Sequence, residues 1–229
     1  MTRMPSAVSW SVGLLLGWAA LACTPGGVGD PCTPEDEYSQ NFNGFQVTEV
    51  NVESRSFQCE TRLCLVNHFQ GRVSCRLGQT ASQASPDEVD ETGTPTGRPN
   101  PRYNPVCAIP GTEATNDPNS LDNIKVEVPP QLKSRQTEKA VYCSCRCDGP
   151  EKNARYCECP EGFTCEPLVD DLKITAGGGQ LAGSYCIRSG TKYNEKDHYK
   201  TAPNCASDPA ACGCTPDDWS PECGRRPGG

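Results

Sequence analysis

Apolar positions along the chain fall into one long block near the start and a few short alternating runs after it. The block runs from Ala7 to Ala22, includes Leu14-Leu15-Leu16, and is broken by Ser9, Ser11 and Gly13, with Arg3 as the one basic residue before it. That length suits the hydrophobic region of a signal peptide and is short of the about 20 apolar residues a membrane-spanning helix needs. No later segment is apolar enough to span a bilayer. Phe45, Val47, Val50 and Val52 predict strand structure with one break in the alternation. Ile124, Val126 and Val128 alternate with Lys125 and Glu127, the period of a half-buried strand, and Pro129-Pro130 stops it. Residues 140–147 and 183–188 are further strand candidates, Leu168 to Ile174 suggests one helical turn, and Gly177-Gly178-Gly179 a flexible turn.

Between these runs, residues 79–104 have almost no apolar content, and Pro86, Pro95, Pro99 and Pro101 stand among Thr, Ser and acidic residues. Such a composition predicts an extended, disordered linker. Thr92, Thr94 and Thr96 offer hydroxyls for O-linked sugar, although a bare linker is the simpler reading. The expected organisation is a signal peptide over 1–22, an anchored Gly/Pro-rich tether over 23–31 and a four-cysteine module over 32–78. The linker over 79–104, an eight-cysteine β module over 105–190 and a four-cysteine tail over 191–229 complete it. The expected fold is small, mostly β and disulfide-rich: two stapled modules joined by a disordered linker, with little helix.

Composition explains why staples are expected. Only 35% of the 229 residues are hydrophobic, with seventeen cysteines included in that figure, and Gly and Pro number 22 and 21. A chain like this buries little apolar surface per residue. Its cysteine frequency belongs to an oxidising compartment, where thiols become cross-links. The pairs are expected among Cys32, Cys59, Cys64 and Cys75, among Cys107, Cys143, Cys145, Cys147, Cys157, Cys159, Cys165 and Cys186, and among Cys205, Cys212, Cys214 and Cys223. Each segment holds an even number, consistent with bridges that close within segments. The run Cys59-x4-Cys64-x10-Cys75 reads as a stapled hairpin with Gly71 near its turn, and Cys59–Cys75 as one such local bridge.

The apolar block ends Ala19-Ala20-Leu21-Ala22-Cys23. This resembles a bacterial lipobox, with Ala20 where Leu is commonest. The same residues also read as an Ala-x-Ala site for ordinary signal peptidase, cut at the same bond. Parity favours lipidation: using Cys23 leaves sixteen cysteines for eight bridges. The resemblance implies diacylglycerol on the Cys23 thiol and, with acyl chains each burying many methylenes, a lasting membrane anchor. Thr24, rather than Asp, after the cysteine implies the outer membrane by the enterobacterial sorting rule.

Two wider resemblances follow. Cys157-Glu158-Cys159-Pro160-Glu161-Gly162-Phe163-x-Cys165 is similar to the turn near the end of an epidermal-growth-factor-like module, over about nine residues. The upstream spacing and calcium-binding pattern of that family are missing. The chain as a whole, through Leu21-Ala22-Cys23, Gly29-Asp30-Pro31-Cys32 and Cys59-x4-Cys64-x10-Cys75, resembles the cysteine-rich outer-membrane lipoproteins of myxobacteria. That resemblance implies a location, not an activity.

Chemistry is thinly represented. The clusters Cys143-x-Cys145-x-Cys147, Cys157-x-Cys159 and Cys212-x-Cys214 would suit copper(I) or zinc as thiolates. In a disulfide protein each member of such a pair bridges elsewhere, and no paired C-x2-C zinc ribbon is present. His68 and His198 lie in no nucleophile, metal or phosphate motif, Asp170-Asp171 reads as a solvated turn, and the triple glycine lacks the Gly-Lys-Ser/Thr of a phosphate loop. The net charge of -8 repels nucleic acid. No catalytic residue, metal or cofactor is expected. The expected role is a non-enzymatic envelope component contacting another envelope protein, with a metal-binding protein and a hydrolase of unrecognised site as alternatives.

Overall fold

The computed structural model describes residues 26–92, 94–170, 181–197, 199–214 and 223. The N-terminal apolar block, Cys23, Asp171 to Ile174, the triple glycine and His198 lie outside them. Within them the protein is mostly β and disulfide-rich, as its composition predicts. Its only α-helices there are single turns, α1 (Ala81–Ala84) and α2 (Thr137–Ala140).

The first sheet is antiparallel in the order β1 (Val50–Glu53), β2 (Leu63–Asn67), β5 (Val141–Ser144). β2 lies in the middle, with Leu65 paired to Val52 on one side and to Tyr142 on the other. The second sheet has the order β6 (Arg146–Asp148), β8 (Gly183–Arg188), β7 (Phe163–Val169). β5 and β6 are one chain path interrupted at Cys145, so the two sheets share a seam. Cys186 N donates to the Cys145 carbonyl at 3.1 Å and the Ser144 hydroxyl to the Cys186 carbonyl at 2.9 Å. Leu65, Tyr142, Tyr185 and Ile187 pack across that seam into one apolar cluster, and all four are buried.

Bridges do not all close within segments. Cys32–Cys64, Cys145–Cys157, Cys147–Cys165, Cys159–Cys186, Cys205–Cys212 and Cys214–Cys223 do. Cys59–Cys143 and Cys75–Cys107 do not, so the expected local Cys59–Cys75 bridge is corrected. The reason is the sheet. Pairing β2 with β5 brings residues around 60 against residues around 143, and cysteines far apart in sequence become neighbours. Gly71 serves a different contact from the expected hairpin turn. It exchanges backbone hydrogen bonds with Phe45, and its φ of +89° with the Pro129 carbonyl close by leaves no room for a side chain.

The segment predicted as a disordered linker carries local structure. Thr80 and Gln83 form a capping box on α1, and β3 (Asp87–Val89) pairs with β4 (Pro95–Pro99). The turn between them is organised by the Asp90 carboxylate, which accepts from the Thr92 and Thr94 backbone amides. These contacts use the polar side chains that made the segment look unstructured. β4 is nevertheless exposed throughout, so that strand adds nothing to the core.

The Gly-rich stretch expected as a tether is likewise partly incorporated. Gly26 N donates to the Gln58 carbonyl at 2.7 Å, Gly29 N to the Cys143 carbonyl at 2.8 Å, and Cys143 N to the Asp30 carbonyl at 2.8 Å. Residues 26–30 thus line the open edge of β5. In the tail, Cys205 N donates to the Gln131 carbonyl at 2.8 Å and Lys133 pairs with Asp208 at 2.6 Å, so the part around Cys205–Cys212 docks on residues 131–133.

Candidate functional site

The seam at Cys145 opens on one side into a cleft of about 660 Å³, lined among others by Ser54, Thr61, Arg146, Arg155, Cys157 and Tyr185. Its shape follows from the strands. Arg146 opens β6 and pairs with Tyr185 of β8, which carries both side chains to the cleft. The loop after β6 folds back, with Cys157 N donating to the Arg146 carbonyl at 3.1 Å, and brings in Arg155 and Cys157. The Thr61 hydroxyl donates to the Ser144 carbonyl at 2.5 Å and the Tyr185 hydroxyl to the Leu181 carbonyl at 2.5 Å, fixing two walls. Burial raises the Tyr185 phenol above its ordinary value, so it stays neutral.

The two arginines differ. Arg146 is half-buried, pairs with Glu151 at 3.1 Å, donates to the Ala182 carbonyl at 3.2 Å and lies over the Tyr156 ring at 5.3 Å. Arg155 is exposed and makes no hydrogen bond or ion pair with the other described residues. One side of the cleft therefore carries a positive charge with no ion-pair partner among the described residues, on a chain that is acidic overall.

Sulfur lies beside the cleft. The Cys145–Cys157 bridge contributes both of its residues to the lining. Behind it stands Cys186 of the Cys159–Cys186 bridge, whose Sγ is 3.5 Å from Cys145 Sγ and 3.7 Å from Cys157 Sγ. Cys147, Cys159 and Cys186 form a second group of sulfurs within 4.8 Å of one another, and Cys32, Cys59 and Cys143 a third. The C-x-C clusters singled out for copper or zinc thus fall within these groups, apart from Cys212-x-Cys214. Every sulfur in them is bonded to another sulfur, and a disulfide lacks the thiolate charge that holds a soft metal. Each member of a C-x-C pair bridges away from its neighbour.

The turn suggested at Cys157–Cys165 is present: Phe163 N donates to the Pro160 carbonyl at 3.1 Å and Gly162 has φ +85°. Phe163 packs edge-on against Tyr142 with ring centroids 5.6 Å apart, and Arg188 lies over both rings.

His68 is half-buried. Its ring stacks on Tyr193 at 3.8 Å, Tyr193 stacks on Tyr199 at 5.1 Å, and His68 Nδ1 donates to the Val47 carbonyl at 3.0 Å. Arg135 is buried beside this stack and donates to the carbonyls of Asn67, His68 and Thr191. Asp170 is exposed at the end of β7. The second buried arginine, Arg72, pairs with Glu37. Sequence reasoning missed Arg72, Arg135 and Arg155 alike. Each stands in a polar run, and only tertiary contacts separate buried, structural cations from the one that faces the cleft.

No protein-family model matches the chain, nor does any curated protein or solved structure.

Proposed function

We propose that the protein is a lipid-anchored component of a bacterial envelope, held at the outer membrane through Cys23 and acting by contact with another envelope protein, not by catalysis. The observation that carries this reading is the fate of the thiols. Sixteen of the seventeen cysteines pair with one another, which leaves Cys23 as the one cysteine without a partner in the chain. A lone thiol on an exported protein is a liability unless it is modified, and Cys23 stands where a lipobox places its acylated residue. Eight bridges over a small core suit a rigid interaction scaffold, which pays its ordering cost before it meets a partner.

The anchor would be short. Residues 26–30 are bound to the edge of β5, so only residues 23–25 separate the lipid from the fold, a span of about 10 Å at full extension. Such a body sits against the headgroups, where long reach into the medium is impossible. The alternative of a copper or zinc protein would need the clustered sulfurs reduced, and a hydrolase would need a general base beside the Ser54 or Thr61 hydroxyl, where the described lining of the cleft holds no His, Asp or Glu.

Intact mass of the membrane-extracted protein, with and without reduction after denaturing alkylation, tests the reading. The expected result is no alkylated thiol before reduction, sixteen after it, and an acyl mass increment on Cys23. A single alkylated thiol without lipid before reduction would make the protein an ordinary secreted one. Crosslinking in intact cells should then capture a second envelope protein, and a chain that crosslinks to nothing would refute the accessory role.

A further inference from the structure

The seam joins two disulfides, a cleft and the Arg155 cation, which has no ion-pair partner among the described residues. We propose that the Cys145–Cys157 bridge is exchangeable, so that a thiol-bearing peptide entering the cleft is taken up as a mixed disulfide and Cys159 is released as the free thiol. The ligand class is a small peptide or exposed loop carrying one cysteine, and the activity is thiol–disulfide exchange.

The geometry carries the argument through Cys186. Thiol–disulfide exchange requires a thiolate to reach a disulfide sulfur, so access and thiolate charge set where it happens. Both residues of Cys145–Cys157 line the cleft, which has the volume of a typical small-ligand site. The guanidinium of Arg155, unpaired among the described residues, draws an anionic sulfur in and stabilises the one that leaves. When the incoming thiolate attacks Cys157 Sγ, the Cys145–Cys157 bond breaks, a new S–S bond joins the peptide to Cys157, and the electron pair leaves on Cys145. That thiolate stands 3.5 Å from Cys186 Sγ. It attacks there, the Cys159–Cys186 bond breaks, Cys145–Cys186 forms, and Cys159 leaves with the electron pair and takes a proton from water. When attack falls on Cys145 instead, the freed Cys157 stands 3.7 Å from the same Cys186 sulfur and again expels Cys159. Either entry point converges on one acceptor and one leaving group. One thiol is consumed and one is produced, so no outside oxidant is needed.

Cys159 is a sensible terminus. It is half-buried and lies two residues from Cys157, while its former partner Cys186 is buried in β8. Two residues are too few for Cys159 to bridge comfortably to Cys157, so the released thiol does not close back on its neighbour.

The test uses the full oxidised chain and reduced glutathione as the probe. After a short exposure, free thiols are trapped with N-ethylmaleimide and the bridges mapped by peptide mass spectrometry. The expected product carries glutathione on Cys157 or Cys145 and maleimide on Cys159, with the other six bridges intact. Maleimide on Cys145 or Cys157 with Cys159–Cys186 unbroken would overturn the relay. First reaction at any other bridge, or no adduct at all, would overturn the exchangeable site. Arg155→Ala, a surface change that leaves the fold alone, is expected to slow adduct formation about three- to tenfold at low salt and less at high salt. An unchanged rate would remove the role of that cation.

Discussion

Arg72 and Glu37 have no exposed side-chain surface and lie 3.4 Å apart, with burial raising the Glu37 carboxyl above its ordinary value against the opposing pull of Arg72. The Glu37 carboxylate accepts from the Val73 and Ser74 amides and from the Ser74 hydroxyl. Arg72 donates to the carbonyls of Glu37, Ser39 and Phe42 and so holds the turn over residues 35–42 onto the residues that follow Gly71. Removing one partner leaves the other charge buried alone. Arg72→Met is therefore expected to destabilise the oxidised protein by about 3–5 kcal/mol, with part of the loss recovered in the Glu37→Met/Arg72→Met double variant. Guanidinium unfolding of the two variants beside the parent protein checks this, and a single-variant loss below about 1 kcal/mol would rank the pair with surface ion pairs.

His68 offers a pH test at the same scale. Burial, and then the nearby Arg135 charge, hold its imidazole below the ordinary value of about 6.5, against the opposing pull of the Val47 carbonyl and Glu195. The folded state thus binds the proton less readily than the unfolded one. Stability from this group is present above the unfolded value and falls as pH drops through about 6.5 toward the lower folded value. The His68–Tyr193–Tyr199 stack is expected to loosen between pH 7 and pH 5. NMR titration of the imidazole should show a midpoint below 6.5, and His68→Gln should flatten that part of the stability profile; a midpoint above 6.5 would reverse the sign.

Elements were legible in proportion to how local their causes are. Residues 183–188 form β8 over the predicted span, because Tyr185 and Ile187 face the core from a strand with partners on both sides. The alternation at 124–128 is real, with Ile124 and Val128 buried and Lys125 and Glu127 exposed, but no strand forms there. The Gln79 side chain takes the place of a neighbouring strand and donates to the carbonyls of Ile124 and Val126, a long-range substitution that no periodicity reveals. Leu168 and Val169, expected to start a helical turn, continue β7 because Val169 pairs with Gly183. The cleft was illegible for the same reason: Cys145 and Cys157 stood out as residues, but their approach to Cys186 depends on β6 and β7 flanking β8. One consequence at this scale is easily measured. Glu91 sits in the exposed turn of the β3–β4 hairpin, where a glutamate-specific protease should cut first. The two halves are expected to stay together on a non-reducing gel and separate on reduction, because Cys59–Cys143 and Cys75–Cys107 both span the cut. Separation without reductant would restore bridges that close within segments.

At the scale of the molecule, the bridges form a hierarchy. Cys59–Cys143 closes 84 residues of sequence and ties the first sheet to the chain that leads into the second. Cys205–Cys212 closes seven in the tail. A cross-link stabilises chiefly by restricting the unfolded chain, so its contribution grows with the loop it closes, from about 2–3 kcal/mol for the short loop to about 4–5 for the long one. Cys75–Cys107 shortens the long path without bringing it near the length of the tail loop. Removing Cys59 and Cys143 together as alanines should therefore lower the midpoint of denaturant unfolding more than removing Cys205 and Cys212. The small apolar clusters, including the one that packs across the seam, cannot compensate, because each buries few residues. Equal losses for the two pairs would mean that the native contacts, and not the restriction of the unfolded chain, set the worth of each bridge. A larger loss for the tail pair would mean that docking on residues 131–133 supports the sheets from outside.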